Sequence, residues 1–142
     1  GGAHYLVADD SGSVVSLETT GKQFQAIYPQ DNVYGHTNHY LTAGLKEREV
    51  IRPQAIGSSL ARYASLSRYF REKAAQVDLA QLQELTRNHT SFPRSICAHG
   101  SASEETGFRS RTLAAMVHVL NDRVMHVTGG CACENEYVAV TL

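Results

Sequence analysis

Gly35-His36-Thr37-Asn38-His39-Tyr40-Leu41 is the stretch on which the reading of this chain turns. Two histidines flank a neutral amide, within a run from Val33 to Leu41 that reads as a strand. The acidic clusters lie elsewhere, so the stretch is not a plain charged loop. An Asn side chain offers two N–H donors and carries no charge. At the end of a buried strand, Asn38 can meet an oxygen that turns negative during acyl transfer. The bland alternative is a turn residue, or a buried amide whose partners are all within the protein.

Upstream of this stretch the chain reads as β-structure. His4 to Ala8 is apolar and β-prone, Asp9-Asp10-Ser11-Gly12 is a turn cluster, and Val14 to Thr19 is the hairpin partner. Lys22 to Tyr28 alternates, with Phe24 and Ala26 on one face, and Pro29 to Asn32 breaks the pattern. Downstream, a loop with Gly44, Pro53 and Gly57 leads to a helix, for which Ser58 or Ser59 is the expected N-cap. Leu60, Tyr63, Ala64, Phe70 and Ala74 then follow at helical spacing, with Arg62, Arg68, Arg71 and Lys73 on the polar side. A shorter helix starts at Asp78, with Gln81 as its capping-box partner and Leu79, Leu82 and Leu85 as its stripe.

The last third returns to strands. Ser95 to His99 is a short strand candidate, and Gly100 to Gly107 a small, polar loop. Thr112 to Leu120, the turn at Asn121-Asp122-Arg123 and Val124 to Thr128 form the clearest hairpin. Gly129-Gly130 breaks it, and Glu136 to Leu142 is a closing strand. Strands, two helices, then strands again predict an α+β layered domain.

Bulk composition narrows the function class. The chain has 142 residues, the usual size of one domain, and is 42% hydrophobic and 19% charged, enough to bury a core. A net charge of -1 gives no nucleic-acid footprint. No run of 18 apolar residues suggests a membrane span. The three cysteines, Cys97, Cys131 and Cys133, are poor material for a disulfide framework, which favours a reducing, cytoplasmic setting. A start at Gly1-Gly2-Ala3-His4, running straight into a strand pattern, points to a fragment or processed product.

Other chemistry-bearing residues weigh less. His36 and His39 (H-x-x-H) with Cys131 and Cys133 (C-x-C) have the types for tetrahedral zinc. On a strand, however, the two histidines point to opposite faces, and C-x-C lacks finger spacing, so no metal site is expected. Cys97 with His99 two residues on is a candidate nucleophile pair, though a buried structural thiol is the commoner role. Arg109 and Arg111 sit where a loop enters a long apolar strand, where an Arg can orient a carboxylate or hold a carbonyl.

Together these motifs resemble one family. His36-Thr37-Asn38-His39-Tyr40-Leu41 is similar to the His-x-Asn-His-aromatic motif of isopenicillin N acyltransferase and its relatives, which are cysteine-nucleophile members of the N-terminal-nucleophile (Ntn) hydrolases. Ser59-Leu60-Ala61-Arg62 is similar to the family's S-x-x-R helix opening. Phe92-Pro93-Arg94-Ser95-Ile96-Cys97 is similar to its aromatic-proline-x-S-I-C segment. Arg109-Ser110-Arg111-Thr112-Leu113 resembles its arginine-bearing approach to a long strand. Val127-Thr128-Gly129-Gly130 and Glu136-Tyr137-Val138 resemble its final hairpin. The motifs occur in the family's order.

The resemblance implies an αββα sandwich of antiparallel sheets and helices, of which residues 1–142 would be the C-terminal portion. It implies a precursor that cleaves itself and exposes an N-terminal Cys, whose α-amino group serves as base while an amide is made or broken through an acyl-cysteine. Asn38 then lines the oxyanion site, Arg111 or Arg109 belongs to the active centre, and Arg62 has an orienting or structural role. His36, His39 and Tyr40 are the expected substrate contacts. No cofactor is implied, acyl-CoA is a candidate co-substrate, and the substrate is a small amide or acyl compound. The chain departs from the pattern in lacking the nucleophilic Cys and the Asp near it, in Ala98 after S-I-C, and in Thr112 after the pre-strand Arg. The missing N-terminal part is therefore an expected partner, and uncovered sheet surface would drive self-association or co-purification with it. The competing reading is a non-catalytic α+β module for binding or assembly.

Overall fold

The Asp9-to-Gly12 turn folds β1 (Ala3–Ala8) back on β2 (Val14–Thr19), in a register that sets Val7 opposite Val15 and His4 opposite Glu18. β3 (Phe24–Ile27) adds to the other edge of β2, giving an antiparallel sheet of order β1-β2-β3. The turn forms as its residue types require: Asp9 accepts from the backbone of Ser11 and Ser13, and Gly12 has φ 86, where a Cβ would be strained. The computed structural model describes residues 2–29, 33–50, 53–73, 77–100 and 111–142.

Val33 to Leu41 is not a strand. The segment has no regular structure and bends at Asn38 and His39. Its backbone donors go to side chains in place of a strand ladder: Asn38 N to Ser59 Oγ, Tyr40 N to Glu49 Oε2 and Leu41 N to Glu18 Oε1. Each bond removes a donor that a neighbouring strand would have used. A four-residue helix α1 (Ala43–Lys46) follows and buries Leu45.

The main helix, α2 (Pro53–Lys73), starts well before Ser59. Pro53 occupies its first position, where a missing N–H costs nothing. Ser59 is thus no N-cap but a fully buried residue inside the helix. The second predicted helix is observed as α3 (Leu79–Thr86), with Asp78 as N-cap and the reciprocal capping box to Gln81. Its leucine stripe ends on buried Leu85.

Ser95 to His99 forms turns in place of the expected strand. Cys97 N donates to Asn88 O and His99 N to Pro93 O, so local bonds occupy the donors a ladder would need. The following hairpin is as expected: β4 (Ala114–Val119) pairs with β5 (Val124–Gly129), with Val119 opposite Val124. β6 (Val138–Thr141) completes a second antiparallel sheet of order β4-β5-β6. α3 packs against β4, and Leu85, Cys97, Ala98, Val117, Cys131 and Ala132 are buried there.

The chain is therefore α+β, with two three-stranded antiparallel sheets and three helices among its described residues. It divides into one unit at Gly1–Ala74 and another at Ala75–Leu142. No described helix is long and apolar enough to cross a membrane.

Candidate functional site

The site of the first unit is built on the inward face of its sheet, which is polar. Strand parity puts Ser16 and Glu18 of β2 on one side with His4 of β1, and both Ser16 and Glu18 are fully buried. Alternation alone would turn Val15 and Leu17 inward, but the segment after β3 supplies partners for the polar face. Ser16 Oγ donates to Tyr34 Oη at 2.8 Å and meets His4 Nε2 at 2.9 Å. His36 stacks on His4, with ring centroids 3.6 Å apart and planes within 2°.

Glu18 is the anchor of the His36–Tyr40 segment. Its Oε1 faces His36 Nε2 at 2.7 Å, with 5% of the histidine side chain and none of the glutamate exposed. Leu41 N, Thr42 N and Thr42 Oγ1 also donate to its carboxylate. Burial pushes the carboxyl pKa up, but donation by the Thr42 hydroxyl, His36 and the two N–H groups outweighs it and holds the pKa at about 2. Burial, then proximity to His36, lowers the His4 pKa.

Ser59 holds the other end. Its Oγ accepts from Asn38 N at 2.8 Å, donates to Thr37 Oγ1 at 3.0 Å and lies 2.8 Å from His39 Nδ1. With its one proton spent on Thr37, the hydroxyl accepts from His39, which makes Nδ1 the protonated ring nitrogen. His39 is buried with its ring edge-to-face on Tyr63, and burial lowers its pKa. Thr37 Oγ1 closes the loop by donating to Ser59 O at 3.0 Å. Asn38 is thus fixed by its backbone, and Arg62, one turn along α2 from Ser59, reaches its side chain. Arg62 Nη2 donates to Asn38 Oδ1 at 2.7 Å. Burial lowers the Arg62 pKa.

Asn38 and Arg62 line an open cavity of about 1010 Å³, together with His36, Tyr40, Lys22 and Arg48. Tyr40 crosses to the sheet and donates from its hydroxyl to Thr19 O at 2.8 Å. The sequence-predicted residues Asn38, Arg62, His36, His39 and Tyr40 therefore come together. His36 and His39 do so chiefly as supports, since Glu18 and Ser59 engage one ring nitrogen of each.

Glu18 and Ser59 were missed as site residues by sequence reasoning. The available signals were a charged residue on a strand of otherwise apolar and hydroxyl side chains, and a Ser at the fourth position before Tyr63 in an apolar helical stripe. Arg111 lies in the second unit, where its Nη2 pairs with Glu134 Oε2 at 2.8 Å. Arg109 lies outside the described residues. Cys97 Sγ and His99 Nε2 do meet, at 3.5 Å, through turns and not through a strand.

No curated protein matches the chain. The sequence model of one family, described as acyl-coenzyme A:6-aminopenicillanic acid acyl-transferase, matches residues 1–131. That span contains every motif from the His36–Leu41 stretch to Gly130, and the chain belongs to this family.

Proposed function

We propose that the chain is the C-terminal part of one Ntn domain, an amidohydrolase or acyltransferase that works through an acyl-cysteine on a nucleophile outside this chain. The observation that carries the reading is the Arg62–Asn38 bond at the cavity wall. Arg is donor-only, so the Asn38 atom it meets must be the carbonyl oxygen, and Nδ2 with its two protons is the end left to donate elsewhere. A fixed, neutral donor is what a tetrahedral oxyanion requires.

In the proposed reaction the Cys thiol gives its proton to the α-amino base, and sulfur attacks the substrate carbonyl. The carbonyl oxygen becomes an oxyanion that accepts from Asn38 Nδ2. Collapse breaks the C–N bond, the departing amine takes the proton, and water or a second amine then attacks the thioester, breaking its C–S bond while the α-amino group passes the incoming nucleophile's proton to the Cys sulfur. Arg62 positions Asn38, and Glu18, Ser59, His36 and His39 hold the segment that carries it. Lys22 and Arg48 on the same wall suit a substrate bearing a carboxylate or phosphate, acyl-CoA among them.

Exposed apolar residues on both sheets favour a larger αββα arrangement. Leu6 and Val7 of β1 and Val138 of β6 are each more than half exposed, and a covering layer or an upstream chain would bury them.

The test is trapping in the natural protein. Substrate-derived acyl groups should appear by mass spectrometry as a thioester on an N-terminal Cys, and Asn38→Ala should slow their formation. A natural protein without such a Cys, but binding acyl ligands, would instead be the non-catalytic module.

A further inference from the structure

The second unit holds four soft donors that the acyl-transfer reading does not use. His89 follows α3, Cys97 and His99 lie in the turns after it, and Cys133 lies in the turn after β5. Their ligand atoms all lie within 4.8 Å of one another. Cys97 Sγ is 3.6 Å from Cys133 Sγ. His99 Nε2 is 3.5 Å from Cys97 Sγ, 3.2 Å from Cys133 Sγ and 3.1 Å from His89 Nε2.

Hydrogen bonds cannot account for this arrangement. One imidazole nitrogen has either one N–H or one in-plane lone pair, so His99 Nε2 can make one good bond and not three. A shared cation satisfies all of them at once. For Zn–S of about 2.3 Å and Zn–N of about 2.05 Å, a tetrahedron has edges of about 3.8 Å for S···S, 3.6 Å for S···N and 3.3 Å for N···N. The four measured edges fall within about 0.4 Å of those values.

The surroundings support metal binding. His99 Nδ1, the far ring nitrogen, faces Glu134 Oε1 at 3.3 Å, and Arg111 holds the other oxygen of that carboxylate at 2.8 Å. A carboxylate behind a ligating histidine fixes its orientation and raises its basicity. The two loops are already tied, because Arg87 Nε donates to Ala132 O at 3.0 Å, and the turn after β5 is braced within itself by Asn135 Nδ2 donating to Cys131 O at 2.9 Å. Cys131 and Glu134 also lie close to His99. But Cys131 Sγ is directed at Ala98 O, and Glu134 is paired with Arg111, so neither competes for the ion.

We propose that His89, Cys97, His99 and Cys133 form a Cys2His2 site for Zn²⁺. With all four positions taken by protein the site is structural and has no open position for water. It would clamp the turns after α3 to the turn after β5, locking the loops at one end of the second sheet. On binding, each thiol loses its proton to solvent and each imidazole binds as the neutral ring. This site is independent of the acyl-transfer reading and uses none of its residues except Arg111, which here supports Glu134.

The full chain, purified without a histidine tag under reducing conditions, is tested with zinc alone. About one zinc per chain is expected by elemental analysis. Chelation should remove it, and re-addition should raise Tm by about 10 °C. Co²⁺ in its place should give the visible d–d bands of a tetrahedral ion with thiolate-to-cobalt charge transfer. His89→Ala, at an exposed position, and Cys133→Ser should each lose stoichiometric zinc and the cobalt bands, while His118→Ala on β4 keeps both. The cobalt spectrum of the unaltered chain stands even where a variant fails to fold. Three freely alkylated thiols with no zinc bound and no change in Tm would overturn the proposal. So would a Cys97–Cys133 disulfide that persists under reduction with zinc present.

Discussion

Arg62 Nη2 donates to Asn38 Oδ1 at 2.7 Å, and the direction of that bond decides which end of the amide remains for chemistry. A guanidinium has no acceptor, so it selects the oxygen and leaves the N–H groups to donate elsewhere, in the proposed reaction to the developing anion. In the natural protein carrying the nucleophile, Asn38→Ala should lower kcat by roughly 10²-fold, about 3 kcal/mol, with KM nearly unchanged. Asn38→Asp should lower it further. Arg62 would pair with the new carboxylate, keeping the shape while replacing the donor with a charge that repels the oxyanion. Single-turnover kinetics beside melting curves separate this from unfolding. A normal kcat in either variant removes Asn38 from the chemistry.

Arg62 acts through Asn38, so its replacement should differ in kind. Arg62→Met should leave the amide free to flip, which predicts a kcat loss smaller than that of Asn38→Ala, about tenfold. Combined with Asn38→Ala, it should add little, because the two side chains work as one unit. Additive losses in the double variant would show that Arg62 has its own contact with substrate.

Ser59→Ala probes the support and not the chemistry. It leaves Asn38 N–H without its 2.8 Å acceptor, at a fully buried position, and His39 Nδ1 with Thr37 Oγ1 at 3.2 Å in place of the closer Ser59 hydroxyl. One unsatisfied buried donor costs about 1–3 kcal/mol. Urea unfolding should show a loss of that order at an unchanged m-value. Ser59→Thr, which keeps the hydroxyl, should lose less unless its methyl finds no room.

Acid should undo the first unit through Glu18. Its carboxyl ionises at about 2 in the folded protein against 4.5 for a free glutamate side chain, so between those values the unfolded chain binds the proton and the folded one resists it. Stability is fully present above pH 4.5 and falls as pH drops toward 2, by about 3 kcal/mol in all. His4 and His39 act earlier and in the same direction. Burial lowers both from 6.5, so acidification below that point favours the unfolded state, where they charge freely. Glu18→Gln should remove the Glu18 part of the lower stage, leaving a shallower profile to which Asp9, held low by the Ser11 hydroxyl, still contributes, and should cost about 2 kcal/mol at pH 7. A wild-type profile in the variant would move the acid transition to another group.

The isolated chain should self-associate or co-purify with an upstream part. Phe24, Tyr28, Met116 and Leu113 join the β1 and β6 residues as large apolar side chains more than half exposed. Light scattering should give a mass above that of one 15.5 kDa chain. A sharp monomer with cooperative melting would count against a larger sandwich.

Local chemistry made much of this protein legible without a structure. The Asp9-to-Gly12 turn, the capping box of Asp78 and Gln81, and the Val119-to-Val124 hairpin form where the sequence puts them, because each is closed by residues a few positions apart. The order of motifs likewise sufficed for the family, and those motifs singled out Asn38 and Arg62, which the folded chain brings into contact. What the sequence could not decide was where backbone donors go when long-range side chains compete for them. Val33 to Leu41 has strand composition, yet Ser59, Glu49 and Glu18 capture its N–H groups. Ser59 has N-cap chemistry, yet Pro53 opens the helix earlier and turns that hydroxyl inward. The polar face of β2 is buried because His36, Tyr34 and Thr42 arrive from later in the chain to satisfy it. Cys133 comes to His99 across 34 positions, a convergence that no spacing rule contains. Such contacts depend on chain closure and burial, and only the folded chain supplies them.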